Sequence, residues 1–378
     1  MKRILFVTTR NPYSGRYSGD VIRSLKIINF LRKKFELDVV SLTDKHLKIS
    51  DKRFIQFKYP NFFFRLLYCI ASLFKFEPIQ FGLFFSKEMK QYLENSSNEY
   101  DYLFFYHIRS SQYLPKNFYG KTVLEMGDLY SKNYIQTFNN LSFLNPLRYI
   151  YLIESLLIKK IESKIFLNFD RIILFSKSEV NSVSKEFSDK IFHISESVSY
   201  VKSSFSYSKK NSRILFIGNL NYLPNLLACR NFIIKVLPVL RRKIPEIKFC
   251  IIGSISKLNK ILLPKNSNVE ILGTQKNLIK YIKSSFCGLA NLNIATGMQG
   301  KVLTYMSHGM PVICSEKVAE NFEKNVLKYK KKTDLIEKIF ILKRDKTQSK
   351  FFSKKSLKFS RNLIWKKISQ KYLKLLNF

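Results

Sequence analysis

The chain has 378 residues, about the length of two domains at roughly 150 residues each. Lys and Arg number 66 against 27 Asp and Glu, a formal net charge of +39, with 46% hydrophobic and 15% aromatic residues, a balance that excludes an acidic disordered chain. Twelve Gly and ten Pro exclude a collagen-like or linker-dominated chain, and five scattered Cys without a CxxC pair exclude a disulfide framework or structural zinc site and favour a reducing cytoplasm.

In chain order, Met1-Lys2-Arg3 leads into an apolar run that stops at Thr8, too short for a signal-peptide core. Residues 4–9 read as a buried strand, 11–19 as a Pro/Gly/Ser loop, 20–34 as a helix and 37–42 as the next strand. Val21, Leu25, Ile28 and Leu31 fall at helical spacing, which lays one face on a sheet. The apolar block 66–74 is far shorter than a membrane span. Further strands are expected at 102–106, 122–125, 171–175 and 191–194, followed by a Ser/Lys-rich linker at 197–212. Arg3-Ile4-Leu5-Phe6 then recurs as Arg213-Ile214-Leu215-Phe216 and opens a second strand, loop, helix and strand at 214–217, 218–224, 225–242 and 249–252. Strands at 269–272, 288–292 and 311–314 complete it, and 347–378 reads as a basic amphipathic helix carrying the only tryptophan, Trp365. Such β-α-β repeats predict two α/β domains with parallel sheets, whose ligands sit beyond the carboxyl ends of the strands.

Four constellations are candidates for chemistry. The loop Asn11 to Asp20, with Gly15, Arg16 and Gly19, enters a helix with Arg23 in its first turns; it suits an anion or simply turns the chain. Gly218-Asn219-Leu220-Asn221-Tyr222 is the matching loop of the second half, where Asn side chains either meet a ligand or close turns. Thr296-Gly297-Met298-Gln299-Gly300-Lys301 enters a short helix that ends at Gly309 and Pro311. A flexible loop, a helix N-terminus and one lysine together favour a phosphate site. Glu125 to Ser131 follows a strand and places carboxylates at the sheet's functional edge, although on local pattern a turn or helix-capping role for Asp128 wins. His46, His107, His193 and His308 lack metal-ligand spacing, and no Walker loop, HExxH or GxSxG supports other chemistries.

Together these residues resemble glycosyltransferase family 4 (group 1), most closely its exopolysaccharide-associated branch. The resemblance rests on Gly19-Asp20-Val21-Ile22-Arg23-Ser24; on Pro146-Leu147-Arg148 with Glu154, Glu162 and Phe169-Asp170; on Gly218, Tyr222, Pro224 and Asn225; and on Gly297, Gln299, Lys301, Val302, Leu303, Met306, Gly309, Pro311 and Val312. It implies a GT-B fold: an acceptor-side Rossmann-like domain over 1–196, a linker over 197–212, a facing nucleotide-sugar domain over 213–346, and a crossover helix over 347–378 that packs back on the first domain. The implied reaction is retaining transfer of a sugar from a nucleotide-sugar to a glycan or lipid-linked acceptor in surface-polysaccharide synthesis. It calls for no metal and no cofactor, the nucleotide-sugar being a substrate.

By the same resemblance Gly218, Asn219, Asn221, Tyr222, Gly273, Thr296, Gly297, Gln299, Lys301 and Thr304 would bind the donor, with Lys301 on its diphosphate. Gly15, Arg16, Gly19, Asp20 and Arg23 would form the acceptor-side loop, and Asp128 would stand beside the transferred sugar. The family's glutamate pair falls on Thr296 and Thr304, and Ser195-Glu196-Ser197-Val198 replaces its Asn-Gly hinge. The lost carboxylate motivates a second reading, a GT-B binding or scaffolding subunit. Nucleic-acid binding rests on charge alone, without an accompanying motif, and is not expected. The basic segment from Asn321 onward suits an anionic membrane surface, giving an expected cytoplasmic location, peripheral at the inner face of the cytoplasmic membrane. The Phe-rich stretch 61–85 reads as a docking surface or as helix faces buried in the first core, and burial is expected for most of its phenylalanines.

Overall fold

The computed structural model describes residues 1–15, 18–44, 51–183 and 185–377. The chain divides into two compact units, Met1–Ser195 with Ser369–Phe378, and Glu196–Ile368.

The first unit carries seven parallel strands: β1 (Arg3–Thr8), β2 (Glu36–Thr43), β3 (Phe54–Lys58), β4 (Tyr102–Tyr106), β5 (Lys121–Gly127), β6 (Arg171–Leu174) and β7 (Ile191–His193). Their order is β3-β2-β1-β4-β5-β6-β7, with Ile4 opposite Leu37 on one side and Tyr102 on the other. Ile4 to Val7 and all of β4 are buried, the continuous apolar run of a strand covered on both faces, and Phe6 stacks on Phe104 at 5.2 Å. Helix Gly19–Leu31 covers one face through Val21, Ile27, Ile28 and Leu31.

The second unit repeats the plan with β8 (Arg213–Ile217), β9 (Lys248–Ile252), β10 (Val269–Ile271), β11 (Ser285–Ala290), β12 (Val312–Ser315) and β13 (Leu327–Tyr329), all parallel, in the order β10-β9-β8-β11-β12-β13. The repeated Arg-Ile-Leu-Phe falls on β1 and β8, which hold the same place in their sheets. Crossovers diverge on either side of those strands, so the loops beyond β1 and β4, and beyond β8 and β11, line the usual ligand position.

Several expectations are corrected. The helix read over 225–242 is two, Leu223–Lys235 and Leu237–Lys243, bent by 42° where Pro238 cannot continue the hydrogen-bond ladder. The terminal helix is also two. Helix Lys346–Arg361 packs on the second unit, where buried Ser360 donates to the Met306 carbonyl at 3.2 Å. Val198 then pairs with Ile364 and interrupts the chain before Trp365–Leu376. Only the final residues belong to the first unit: Tyr372 is buried, and Tyr102 Oη donates to the Leu376 carbonyl at 2.9 Å. The stretch 197–212 is packed on the second unit, with the Ser204 and Phe205 amides bonded to the His308 carbonyl. In the Phe-rich stretch, Phe62, Phe63, Phe64, Phe74 and Phe76 are exposed and only Phe81 is buried, because Cys69 and Ser72 are the residues of helix Phe62–Phe74 that turn inward. No single helix among the described residues is long and apolar enough to cross a membrane.

Candidate active site

In the second unit, the loops after β8 and β9 touch closely. A Cβ on Gly253 would lie 1.8 Å from the Gly218 carbonyl oxygen, so position 253 admits only glycine. Asn219 accepts from the Asn221 amide at 2.9 Å and the Ser254 hydroxyl at 2.8 Å; Asn221 accepts from the Ser256 amide at 2.8 Å. Of the two readings of these asparagines, turn closure is the one their side-chain oxygens serve. Gly273, at φ 64°, accepts from the Gly253 amide at 2.9 Å and so joins the same cluster of loops. Tyr222, half-exposed, stands immediately before helix Leu223–Lys235.

Asn225 in that helix ties the cluster together. Its Nδ2 donates to the Asn219 carbonyl at 2.8 Å, and its Oδ1 accepts from the Lys301 ammonium. Lys301 lies 4.3 Å from the centre of the Phe216 ring. Burial pushes its pKa down to about 7, since the ammonium has little water around it. Helix Gly300–Ser307 begins one residue before Lys301, with Gln299 as its cap; Gln299 Nε2 donates to the Thr296 carbonyl at 2.9 Å. Gly297 adopts φ 61° and its carbonyl accepts from Asn321 Nδ2 at 2.7 Å, while Gly300 has open space where a side chain would stand. Thr304 donates to the Gly300 carbonyl at 3.0 Å, so its hydroxyl is engaged within the helix.

In the first unit the sequence expectations divide. Arg23 is 2% exposed; its Nε donates to Glu125 at 2.6 Å, and Nη2 to Tyr372 Oη at 2.8 Å, over the Phe175 ring. It is thereby corrected from a phosphate ligand to a core ion pair, because Glu125 is also buried and accepts from Tyr372 at 2.5 Å. Asp20 pairs instead with Arg10, which, against the opposing effect of burial, holds its carboxyl down at about 2. Gly15, at φ 69°, and Gly19 have open space beside them. Arg16 lies outside the described residues. A cavity of about 690 Å³ at this end of the sheet is lined by Arg10, Asn11, Ser18, Asp20, Tyr59 and Arg65.

His107, whose spacing in the sequence carries no signal, stands at the carboxyl end of β4 at φ 71°, a conformation that side chains rarely adopt. Its Nδ1 meets the Tyr130 hydroxyl at 3.1 Å, and its buried Nε2 has no hydrogen-bond partner among the described residues. Burial pushes its pKa down to about 3, so the ring is neutral. Burial pushes the Tyr130 pKa up, and Asp128, at the end of the neighbouring strand, adds to the rise. The family-like glutamates of helix Leu147–Asn168 prove structural: Glu154 accepts from Gln80 at 3.3 Å and Glu162 from the Ser131 amide at 3.1 Å. Among the described residues no group of three His, Cys, Asp or Glu side chains is placed to hold a metal ion.

Residues 211–345 match the family model described as Glycosyl transferases group 1. Over the whole chain, the structure is similar to that of S. aureus TarM in complex with Fondaparinux, alpha-GlcNAc-glycerol and UDP, at TM-score 0.65 and 12% identity, covering 100% of both chains. The chain has the GT-B fold. Anabaena HepE in complex with UDP-glucose gives TM-score 0.65 at 12% identity, covering 100% of this chain and 99% of that one. The E. coli trehalose-6-phosphate protein bound with UDP-2-fluoro glucose gives 0.66 at 11%, covering 99% of each. No curated protein matches the chain by sequence. The family match spans β8 to β13, so the GT-B unit that carries Lys301, Asn225 and the loops around Gly218 is the one with group 1 character.

Proposed function

We propose that this chain is a glycosyltransferase that moves a sugar, with retention at the anomeric carbon, from a nucleotide-sugar to a glycan or lipid-linked acceptor in surface-polysaccharide assembly. The reading includes a cytoplasmic location at the inner face of the membrane and no cofactor beyond the donor. The observation that carries it is the Lys301 ammonium held by Asn225 at the start of helix Gly300–Ser307, inside the segment with group 1 character.

The chemistry follows from charge. As the bond from the anomeric carbon to the diphosphate oxygen breaks, negative charge grows on the leaving group. A lysine and the N-terminal dipole of a helix stabilise that charge more in the transition state than in the ground state. The acceptor oxygen bonds to the same face of the sugar carbon, and its proton leaves with the diphosphate oxygen. Gly297 and Gly300 let the backbone approach the phosphates, and Gly218, Gly273 and Tyr222 shape the loops beside them. In the first unit, the Arg10–Asp20 pair borders the cavity offered to the acceptor, and Gly15 and Gly19 belong to the loop whose Ser14 and Ser18 line it. Asp128 and neutral His107 would serve the sugar at the end of the sheet.

Calorimetry against UDP-, GDP- and ADP-sugars tests the reading; no heat from any donor sinks it. A second reading, a GT-B subunit that binds without turnover, is favoured by Thr304, whose hydroxyl is spent on the Gly300 carbonyl. Thr304→Glu separates the two: a gain of donor affinity supports the enzyme, and no change supports the binding subunit.

A further inference from the structure

Two helices of the first unit turn apolar side chains outward. In helix Phe62–Phe74 the buried residues are Cys69 and Ser72, while Phe62 and Phe74 are each 82% exposed and Phe63, Leu66 and Ile70 are exposed between them. In helix Leu147–Asn168 both carboxylates, Glu154 and Glu162, are buried, and Tyr149, Ile150, Ile153 and Leu156 face outward on successive turns. Phe76, just beyond the first helix, has its ring centre 5.5 Å from the Lys160 ammonium of the second, and both helices border one cavity of about 910 Å³ lined by Lys75, Lys164, Glu77 and Asp170. Neither helix exposes a carboxylate, and Lys159 and Lys160 stand beside the apolar stripe.

A water-facing helix places charge outside and apolar groups inside, because exposed apolar surface is unfavourable and burying polar groups costs more. An aromatic and aliphatic face on which Lys75, Lys159 and Lys160 outnumber the neighbouring Glu77 has the composition of a surface that enters the headgroup layer of an anionic bilayer. A second copy of a +39 chain would set cation against cation at the same face. We propose that helix Phe62–Phe74, Phe76 and the outward side of helix Leu147–Asn168 form the docking face for an anionic lipid bilayer, with the aromatic and aliphatic side chains at the acyl boundary and the lysines at lipid phosphates. Arg65 of the first helix also lines the 690 Å³ cavity, so docking brings that cavity to the lipid surface; the docking face deepens the membrane location proposed above, and this consequence rests also on the acceptor role proposed for that cavity.

The test uses the full chain with vesicles of equimolar phosphatidylcholine and phosphatidylglycerol against phosphatidylcholine alone. Flotation is expected to show binding about tenfold tighter or more to the anionic vesicles, weakening as salt rises. The triple variant Phe63→Gln/Leu67→Gln/Phe74→Gln, which keeps every charge, is expected to lose about tenfold or more. Phe74→Trp in a Trp365→Phe background is expected to be quenched by lipids brominated on the acyl chain. No flotation of the parent chain, flotation of the triple variant equal to the parent, or a light-scattering dimer that the triple variant abolishes without any vesicle binding would each overturn the proposal. Nucleotide-sugar calorimetry on the triple variant is expected to match the parent, so loss of donor binding and loss of lipid binding report separately on the two readings.

Discussion

The Lys301 ammonium donates to the Asn225 side-chain oxygen above the face of Phe216, and Asn225 in turn donates to the Asn219 carbonyl at 2.8 Å. One asparagine thus connects the loop after β8 with the helix after β11, across the switch point of the second sheet. An ammonium so placed, with one neutral oxygen as its acceptor among the described residues, is destabilised by burial. A diphosphate bound as proposed would restore the charge that burial opposes.

Lys301→Met removes that charge while keeping most of the side chain's volume. Donor affinity is expected to fall by about 1.5–3 kcal/mol, the usual worth of a hydrogen bond to a charged group. Stability is expected to hold or rise, because a destabilised ammonium has been removed. Calorimetry and thermal unfolding on one preparation check both, and a stable variant with unchanged affinity removes Lys301 from the site.

The same residue sets a pH dependence. With its pKa pushed down to about 7, Lys301 is charged below that pH in the free protein and neutral above it. Binding a diphosphate raises the pKa, so above pH 7 binding must take up a proton, and affinity is expected to fall by up to about tenfold per pH unit there. Below pH 7 it should be flat, since a nucleotide-sugar diphosphate does not itself titrate in this range. Calorimetry in buffers of differing ionisation heat counts the proton, and Lys301→Arg, charged throughout, should lose the slope.

Gly253 and Gly300 offer a contrast between a glycine that packing requires and one assigned to the proposed donor site. Gly253→Ala places a methyl 1.8 Å from the Gly218 carbonyl oxygen, so the loops after β8 and β9 must part, and both stability and donor affinity should drop. Gly300→Ala meets nothing within 4 Å and improves helix propensity by up to about 1 kcal/mol. That variant should be as stable as the parent or more so, yet weaken donor binding because its methyl enters the space offered to phosphate. Equal donor affinity in Gly300→Ala would move the phosphate elsewhere.

Arg23→Met tests the corrected role of a motif residue. It leaves Glu125 buried opposite Tyr372 without its cation, a loss of about 3–5 kcal/mol for a broken buried pair. The double variant Arg23→Met/Glu125→Gln should recover a large part of it. Thermal unfolding reads the expected order, parent above double above single. A single variant as stable as the parent would return Arg23 to the list of ligands.

These outcomes also mark what was legible in the amino-acid order. The Arg-Ile-Leu-Phe repeat located β1 and β8, because a strand covered on both faces must be apolar throughout, and that pattern is local. Strands β3 and β13 went unread, being short edge strands of mixed polarity. The Gly-Lys helix entry at 297–301 was readable for the same local reason. Arg23 was not, since its partners Glu125 and Tyr372 lie 102 and 349 residues away. Helix Phe62–Phe74 was recognisably apolar, yet which face it turns outward depends on the elements packed beneath it, and that is tertiary information. His107 needed the same long-range view: its strained backbone and its contact with Tyr130 exist only once β4 and β5 are aligned.

His107 supports the last prediction. At φ 71° and ψ 150° a side chain costs about 1–3 kcal/mol, which a fold keeps only where the surroundings hold it or the position is used. His107→Gly relieves that strain but deletes the ring packed against Tyr106 and the bond to Tyr130, so the two effects on stability oppose and the net change should be small. His107→Gln keeps a neutral polar group but also keeps the strain, and should be the less stable of the two. If the buried Nε2 serves the sugar, both variants lose transfer by about a hundredfold or more, within the range of a lost polar catalytic contact, while calorimetric donor affinity stays near the parent value. The neutral ring, with its pKa near 3, adds no pH dependence between pH 5 and 8, so the slope assigned to Lys301 should persist in both variants. Full transfer activity in a folded His107→Gly protein would leave the strained histidine as a purely structural feature.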